Sequence, residues 1–190
     1  MSAAPEVTTV APRSHRGLAR RVVGLVLGAL VVAAAAQVAL PVPLSPVPMT
    51  LQPLAVLAVG GLLGASGGMA ALVTYLALGI MGFPVFAGGA SGAAHLIGPT
   101  GGYLLAFPVA AGITGSLAGD RRNVARVLGA CALGMVVIHV GGVAQLAILG
   151  GDPATAFRVG FVPFLTGDLI KVGLAAAVIV LLRPMARRVH

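Results

Sequence analysis

Charge is almost absent from long stretches of this chain, and that absence limits what it can fold into. Charged residues make up 8% of the 190 residues, whereas apolar residues make up 58%. A soluble domain carries about a quarter charged residues, which keep its water-facing surface in solution. The surface of this protein must therefore face lipid, and the sequence predicts an all-α, polytopic integral membrane protein.

Six apolar segments are separated by glycine, proline or arginine, and each is predicted to be a transmembrane helix. The first run, residues 22–40, also resembles a secretory signal peptide, but it is longer than the hydrophobic region of such peptides. The second and third segments are short for a full crossing and flank the turn GASGG, so they form either a helical hairpin or a re-entrant loop. The predicted helices are 22–40, 53–64, 68–81, 103–118, 127–149 and 161–182, in one membrane domain of residues 22–182.

The arginines indicate which helix ends face the cytoplasm. Six crossings place all three arginine clusters on one side of the membrane, as the positive-inside rule requires. Both termini are then cytoplasmic, with residues 1–21 a disordered basic tail and residues 183–190 a basic C-terminal segment. The net charge of +8 comes from these clusters and not from a basic stripe, so no nucleic-acid partner is expected. The clusters are Arg13, Arg16, Arg20 and Arg21; Arg121, Arg122 and Arg126; and Arg183, Arg187 and Arg188.

The remaining polar residues concentrate toward the predicted outer ends of the helices. Asp168 and Lys171, the only lysine, share one face of the sixth segment, with Phe164 one turn before Asp168. Ionisable groups within a membrane are costly, so this pair is either a binding site or a structural ion pair that neutralises itself. The N-termini of segments two, four and six point to the same region, which favours anions and carbonyl oxygens. Other polar residues in this region are Thr50, Gln52, Thr100, Tyr103 and Gln145, the last beside the small residues Gly134, Gly141 and Gly142.

Several kinds of chemistry find little support. The chain has no P-loop, so uphill transport would need a partner or an ion gradient. His95 and His139 are interpreted as loop or packing residues, because no cluster of cysteine, histidine or carboxylate accompanies either one, and no metal or cofactor is expected. Ser66 and Ser91 lie in GASG tetrapeptides that would suit an intramembrane protease with His139, but they are predicted on opposite sides of the membrane. No catalytic residue is therefore assigned.

Three stretches, in this order and spacing, resemble one family. They are PVPLSPVPMTLQ (41–52), GFPVFAGGASGAAHLIGPTGGYL (82–104) and FVPFLTGDLIK (161–171). They are similar to the biotin-specific S components, the BioY family, of energy-coupling factor (ECF) transporters. Thr166 departs from the family, which usually has proline before Gly-Asp, and His95 replaces a residue that is usually apolar.

The resemblance implies a non-enzymatic, multi-pass subunit of the bacterial cytoplasmic membrane that captures biotin for uptake. It would dock on a transmembrane coupling protein with two ATPase subunits, or form a homo-oligomer if it acts alone. Ala29 and Ala33 match the family's small-residue contact to the coupling protein. The implied biotin site uses Asp168 to accept from a ureido N–H and Lys171 to donate to a ligand oxygen. The site would be lined by Thr50, Gln52, Thr100, Gly101, Tyr103, Gln145 and Phe164, and the proline-rich segment would form part of a lid.

Two alternatives remain open from the sequence. One is an S component for another small vitamin. The other is an ion-coupled secondary transporter in which Asp168 relays the ion.

Overall fold

The computed structural model of the chain describes residues 15–119 and 123–187. Its helices are α1 (His15–Gln37), α2 (Gln52–Ile80), α3 (Ala94–Ile97), α4 (Gly101–Leu117), α5 (Val124–Gly150), α6 (Pro153–Gly160) and α7 (Leu165–Arg187). Two short strands, β1 (Ala39–Leu40) and β2 (Met49–Thr50), form an antiparallel pair. Two 3-10 turns, Ala87–Gly89 and Val162–Phe164, complete the described secondary structure.

The apolar helices confirm the predicted all-α membrane fold. By length and composition alone, four stretches of the described residues could cross a bilayer, although the second and the fourth contain breaks, and α4 is apolar but shorter. Large apolar side chains such as Leu30, Val140 and Leu169 are exposed along these helices. That exposure suits lipid and would be costly in water. The four stretches are Gly17–Gln37, Gln52–Ile80, Val124–Gly150 and Pro153–Leu182.

The first helix begins earlier than predicted. It starts at His15 and continues through turns rich in arginine, leucine and alanine, which all favour helix. The prediction of a disordered tail is therefore wrong for residues 15–21. The helix also ends before residue 40, because Ala39 and Leu40 pair with the strand β2. The predictions for residues 1–14 and 188–190, and for Arg121 and Arg122, lie outside the described residues.

The second element, α2, is a helical hairpin broken at one glycine. Gly64 has φ 76° and ψ 178°, a conformation that a residue with a side chain rarely adopts. A Cβ atom built on Gly68 would lie 2.7 Å from the Cα of Gly60, so the halves before and after Gly64 run back to back. By helix rise, residues 52–63 span about 18 Å and residues 65–80 about 24 Å, less than the roughly 30 Å hydrocarbon core. The two predicted segments are present, with a turn tighter than the five-residue GASGG.

The sixth predicted segment, 161–182, is not one continuous helix, and a separate short helix precedes it. The structure has α6, then the turn containing Pro163, then α7, so the long helix begins at Leu165 and not at residue 161. Pro163 lies in the first turn of the 3-10 element, where its missing N–H costs no hydrogen bond. Asp152 caps α6 by accepting from the backbone N–H groups of Ala154 and Thr155. The break places Phe164 immediately before the N-terminus of α7.

Small residues let α4 pack closely against its neighbours. A Cβ on Gly60 would lie 2.4 Å from the carbonyl oxygen of Ala111, and one on Gly102 would lie 2.2 Å from that of Gly141. Helix α4 therefore contacts the α2 hairpin and α5 backbone to backbone, as is usual when small residues line helix interfaces in membranes. This close approach fixes α4 between its neighbours.

The N-termini of α2, α4 and α7 meet at one end of the bundle. This end also carries β1, β2 and the 81–93 loop, and we call it the cavity end. Gly64, the end of α4 and the start of α5 lie at the opposite end, which we call the closed end. The predicted convergence of three helix N-termini is therefore present, whereas the membrane side that each end faces stays a prediction.

Candidate functional site

A cavity of about 450 Å³ opens at the cavity end. Its volume falls in the range of about 300–1,000 Å³ that is usual for sites that bind small molecules. Seven of the nine predicted site residues line it: Thr50, Gln52, Thr100, Tyr103, Phe164, Asp168 and Lys171. The other two, Gly101 and Gln145, lie behind its wall.

A three-residue polar cluster lies on one wall of the cavity. Asp168 Oδ1 accepts a hydrogen bond from Lys171 Nζ at 2.9 Å, and Asp168 Oδ2 lies 2.6 Å from His139 Nε2. The three residues are 5–7% exposed. Asp168 and Lys171 come from the first two turns of α7, which starts beside the cavity, and His139 reaches them from α5. The predicted pairing of Asp168 with Lys171 is therefore observed, and it faces open space.

Sequence reasoning missed the role of His139, which it interpreted as a packing residue. The imidazole is surrounded by the rings of Tyr103, Phe161 and Phe164, with the Phe161 centroid at 4.9 Å. Its Nδ1 has no hydrogen-bond partner among the described residues, so the Nε2 contact to Asp168 is its one polar attachment there. The histidine is thus fixed on the carboxylate. No sequence pattern predicts its contact with Asp168, because the two residues are 29 positions apart on different helices.

Tyr103 lies under the cavity with its hydroxyl already engaged. It donates to the carbonyl oxygen of Gly160 at 2.6 Å, at the end of α6. A Cβ on Gly142 would lie 2.1 Å from its ring, so Tyr103 fills the space beside the small residues of α5. Tyr103 therefore offers a ligand its ring more readily than its hydroxyl.

Gln145 supports the cavity wall and does not line the cavity. Its Nε2 donates to the carbonyl oxygens of Leu96 at 3.0 Å and of Gly98 at 2.6 Å. Gly101 lies against the same segment, where a Cβ would lie 1.9 Å from the Leu96 carbonyl oxygen. Both residues were predicted to touch a ligand, but in the structure they hold α3 against the start of α4.

Thr50 and Gln52 line the cavity and also belong to a hydrogen-bond chain. The Thr50 hydroxyl donates to Gln52 Oε1 at 3.1 Å, and Gln52 Nε2 donates to the Tyr75 hydroxyl at 2.6 Å. The Tyr75 hydroxyl in turn donates to the carbonyl oxygen of Val85 at 3.1 Å. This chain joins β2 to the 81–93 loop across α2.

The proline-rich segment covers the cavity as a hairpin. Residues 39–50, which we call the lid hairpin, pair through β1 and β2. Pro46, Val47 and Pro48 face the cavity. At the tip Leu44 is 95% exposed. The lid hairpin is therefore held at its base and open at its tip.

The predicted docking residues do not lie on a shared surface. Ala29 is fully buried, so the predicted contact of this residue with a coupling protein disagrees with the structure. Ala33 is partly buried and packs against the core. The face of α1 that is exposed instead carries Leu27, Leu30 and Val31.

The residues that line the cavity are suited to binding a ligand and not to catalysis or metal coordination. No three His, Cys, Asp or Glu residues of the described chain lie close enough together to hold a metal ion. Neither Ser66 nor Ser91 lines the cavity, and His139 is bonded to Asp168, so the protease alternative gains no support. The cavity instead presents one anionic acceptor, one ammonium donor and apolar and aromatic walls, which together suit a small amphipathic ligand.

Sequence comparison matches this chain to known proteins over nearly its whole length. Residues 6–188 match the model of the BioY family. The chain is 42% identical over 144 residues to the "Biotin transporter BioY" of Thermotoga maritima, which covers 76% of this chain and 85% of that protein. It is 36% identical over 165 residues to the "Biotin transporter BioY" of Rhizobium etli, covering 80% and 88%.

A solved structure has the same fold. It is the crystal structure of the S-component for biotin from an ECF-type ABC transporter, with a TM-score of 0.83 and 25% sequence identity. The match covers 91% of this chain and 95% of that one. With a family match over residues 6–188 and this shared architecture, the chain belongs to the BioY family.

Proposed function

We propose that this protein is an S component that binds biotin in the cavity and carries it across the bacterial cytoplasmic membrane as part of an ECF-type transporter. The observation that carries the proposal is the His139–Asp168–Lys171 cluster, which faces a cavity of about 450 Å³ beneath a lid. The relatives named above are described as biotin transporters. Transport, and not enzymatic chemistry, is the function.

The cavity matches the three chemical parts of biotin. The ureido ring has two N–H donors and a carbonyl acceptor, the sulfur ring and chain are apolar, and the far end is a carboxylate. Asp168 accepts from a ureido N–H and Lys171 donates to a ligand oxygen. Phe164, Tyr103 and Phe107 supply apolar and ring contacts for the rest.

The other predicted site residues surround the proposed contact of biotin with Asp168 and Lys171. Thr100 offers a hydroxyl on the wall that leads into α4, and Thr50 and Gln52 cover the ligand from the lid side. Gly101 and Gln145 shape the wall from behind, through the contacts to Leu96 and Gly98. Each of these roles is a proposal that binding measurements test.

In this proposal, a partner protein supplies the energy for uphill transport. The sequence has no P-loop, so a coupling protein with two ATPase subunits, or a shared module of that kind, would supply ATP hydrolysis. The surface of α1 offers that partner a continuous apolar face through Leu27, Leu30 and Val31. Ala33 stays a candidate contact at the edge of this face.

Equilibrium binding of biotin to the purified chain in detergent tests the proposal. Lys171→Ala removes the one ammonium donor of the cluster, and we expect affinity to fall by at least about 10-fold, the scale of a hydrogen bond to a charged group. Arg126→Ala is the matched control, because Arg126 contacts the Leu117 carbonyl oxygen at the closed end and should leave affinity unchanged. A folded wild-type chain that does not bind biotin would refute the proposal, and a panel of other vitamins would follow.

A further inference from the structure

The wall formed by α7 and α5 has no uncompensated cation to offer an anionic ligand group. Lys171, the only lysine of the chain, already donates to Asp168, and the other carboxylate oxygen lies on His139. A ligand carboxylate placed here would compete with Asp168 for the ammonium group and would be repelled by the Asp168 charge. The ureido group is neutral and meets no such conflict.

A second basic side chain lines the cavity from a different element. His95 belongs to α3, which follows the 81–93 loop. Within the described residues its imidazole makes neither a hydrogen bond nor an ion pair, and its ring contacts that of Phe86. It is half-buried, so its ring nitrogens keep room for a partner.

The position of His95 is fixed by its neighbours. Its ring lies 5.9 Å from that of Phe86, which is 1% exposed and seated over Gly79. The peptide carbonyls of Leu96 and Gly98, on either side of the turn that follows His95, are held by Gln145. A side chain that is fixed before the ligand arrives loses little conformational entropy when it binds.

We propose that His95 forms the subsite for the carboxylate of the ligand. The inference rests on the proposed function and deepens it, because it fixes the orientation of the ligand. The ureido ring lies at Asp168 and Lys171, and the carboxylate accepts an N–H from the His95 imidazole, with the Thr100 hydroxyl on the adjoining wall. The other titratable groups that line the cavity are Tyr103, His139, Asp168 and Lys171.

A comparison of two ligands tests the orientation. Biotin and biotinamide, in which a neutral amide replaces the carboxylate, are titrated into the wild-type chain, His95→Ala and Lys171→Ala in detergent. We expect His95→Ala to weaken biotin by about 10-fold, the scale of a hydrogen bond to a charged group, and to change biotinamide affinity by less than about 2-fold. Lys171→Ala should weaken both ligands to a similar degree, since both retain the ureido ring.

The outcomes separate this inference from the proposed function. Equal losses of both ligands in His95→Ala, or no loss of either, would overturn the carboxylate subsite while biotin binding by the wild type stands. A wild-type chain that binds neither ligand would overturn the proposed function itself. If the alanine variant does not fold, His95→Leu keeps bulk against Phe86 but has no N–H donor. In that variant biotin should still be weakened more than biotinamide, and equal effects on the two ligands would overturn the subsite.

Discussion

The two ends of the bundle use the same small residues in opposite ways. At the closed end Gly60, Gly64 and Gly115 bring backbones into contact, so that no space is left between the α2 hairpin and α4. At the cavity end Gly142 and Gly79 make room for the large rings of Tyr103 and Phe86, which support a cavity. Glycine therefore closes one end of the bundle and shapes a binding site at the other. The comparison predicts that substitutions at the cavity end alter biotin affinity, whereas substitutions at the closed end alter the stability of the fold.

Asp168→Asn should have the largest effect on the cavity end. Asparagine removes the anion that joins Lys171 and His139 and leaves a buried ammonium group without its partner, a change that costs several kcal/mol. We expect biotin affinity to fall by at least about 100-fold in a titration calorimetry or radioligand experiment.

Asp152→Asn is the matched control for that change. Asp152 is exposed and caps α6, a role that asparagine performs about as well. Its hydrogen bonds from Thr155 and from the backbone N–H of Ala154 keep the pKa of the carboxyl below its usual range. Biotin affinity should not change in this variant, and a loss equal to that of Asp168→Asn would contradict a local role for the cluster.

Gly60→Ala should have the largest effect on the closed end. The added methyl would meet the Ala111 carbonyl oxygen at 2.4 Å and its Cα at 2.8 Å, and neither backbone atom can move aside cheaply. We expect a loss of about 1–3 kcal/mol in the free energy of unfolding, typical of overpacking, measured as a lower midpoint of thermal unfolding in detergent.

Gly129→Ala provides the comparison for Gly60. A Cβ at Gly129 on α5 meets nothing within 4 Å, so alanine gains helix propensity there without a clash. Stability should stay the same or rise slightly. If both variants melted at the same temperature, the close contact between α2 and α4 would not be what stabilises the closed end.

His139→Ala should have a smaller effect than Asp168→Asn. Removing the imidazole frees one carboxylate oxygen but leaves Lys171 in place, so biotin affinity should fall by about 10-fold, the scale of one hydrogen bond to a charged group. His139→Gln retains an N–H donor and should recover part of that loss in the same titration. Equal affinities in the wild type and both variants would show that the 2.6 Å contact does not position Asp168.

Local patterns predicted the parts of the fold that depend on neighbours along the chain. Long apolar runs predicted the helices, and the spacing of three residues placed Asp168 and Lys171 on one face of α7. The same reasoning failed where packing decides. The bent lid hairpin and the separate helix α6 both depend on contacts with distant segments.

In the candidate site, too, sequence reasoning found the residues that local patterns mark and missed the contacts that packing decides. The cavity-lining polar residues of the predicted site were found because a polar side chain is conspicuous in an apolar chain. Gln145 was also conspicuous, but its partners are carbonyl oxygens of residues 96 and 98, which carry no signal in a sequence. His139 was misread because its partner lies 29 residues away on another helix. The burial of Ala29 likewise depends on how α1 packs against its neighbours.

The hydroxyl of Tyr75 has a consequence for how the ligand enters. It accepts from Gln52, which is bonded to Thr50 of the lid hairpin, and donates to Val85 in the 81–93 loop, so one oxygen atom connects two covers of the cavity. A displacement of either cover would break its hydrogen bond to that atom and withdraw support from the other. We therefore expect movements of the lid hairpin and of the 81–93 loop to be coupled through Tyr75.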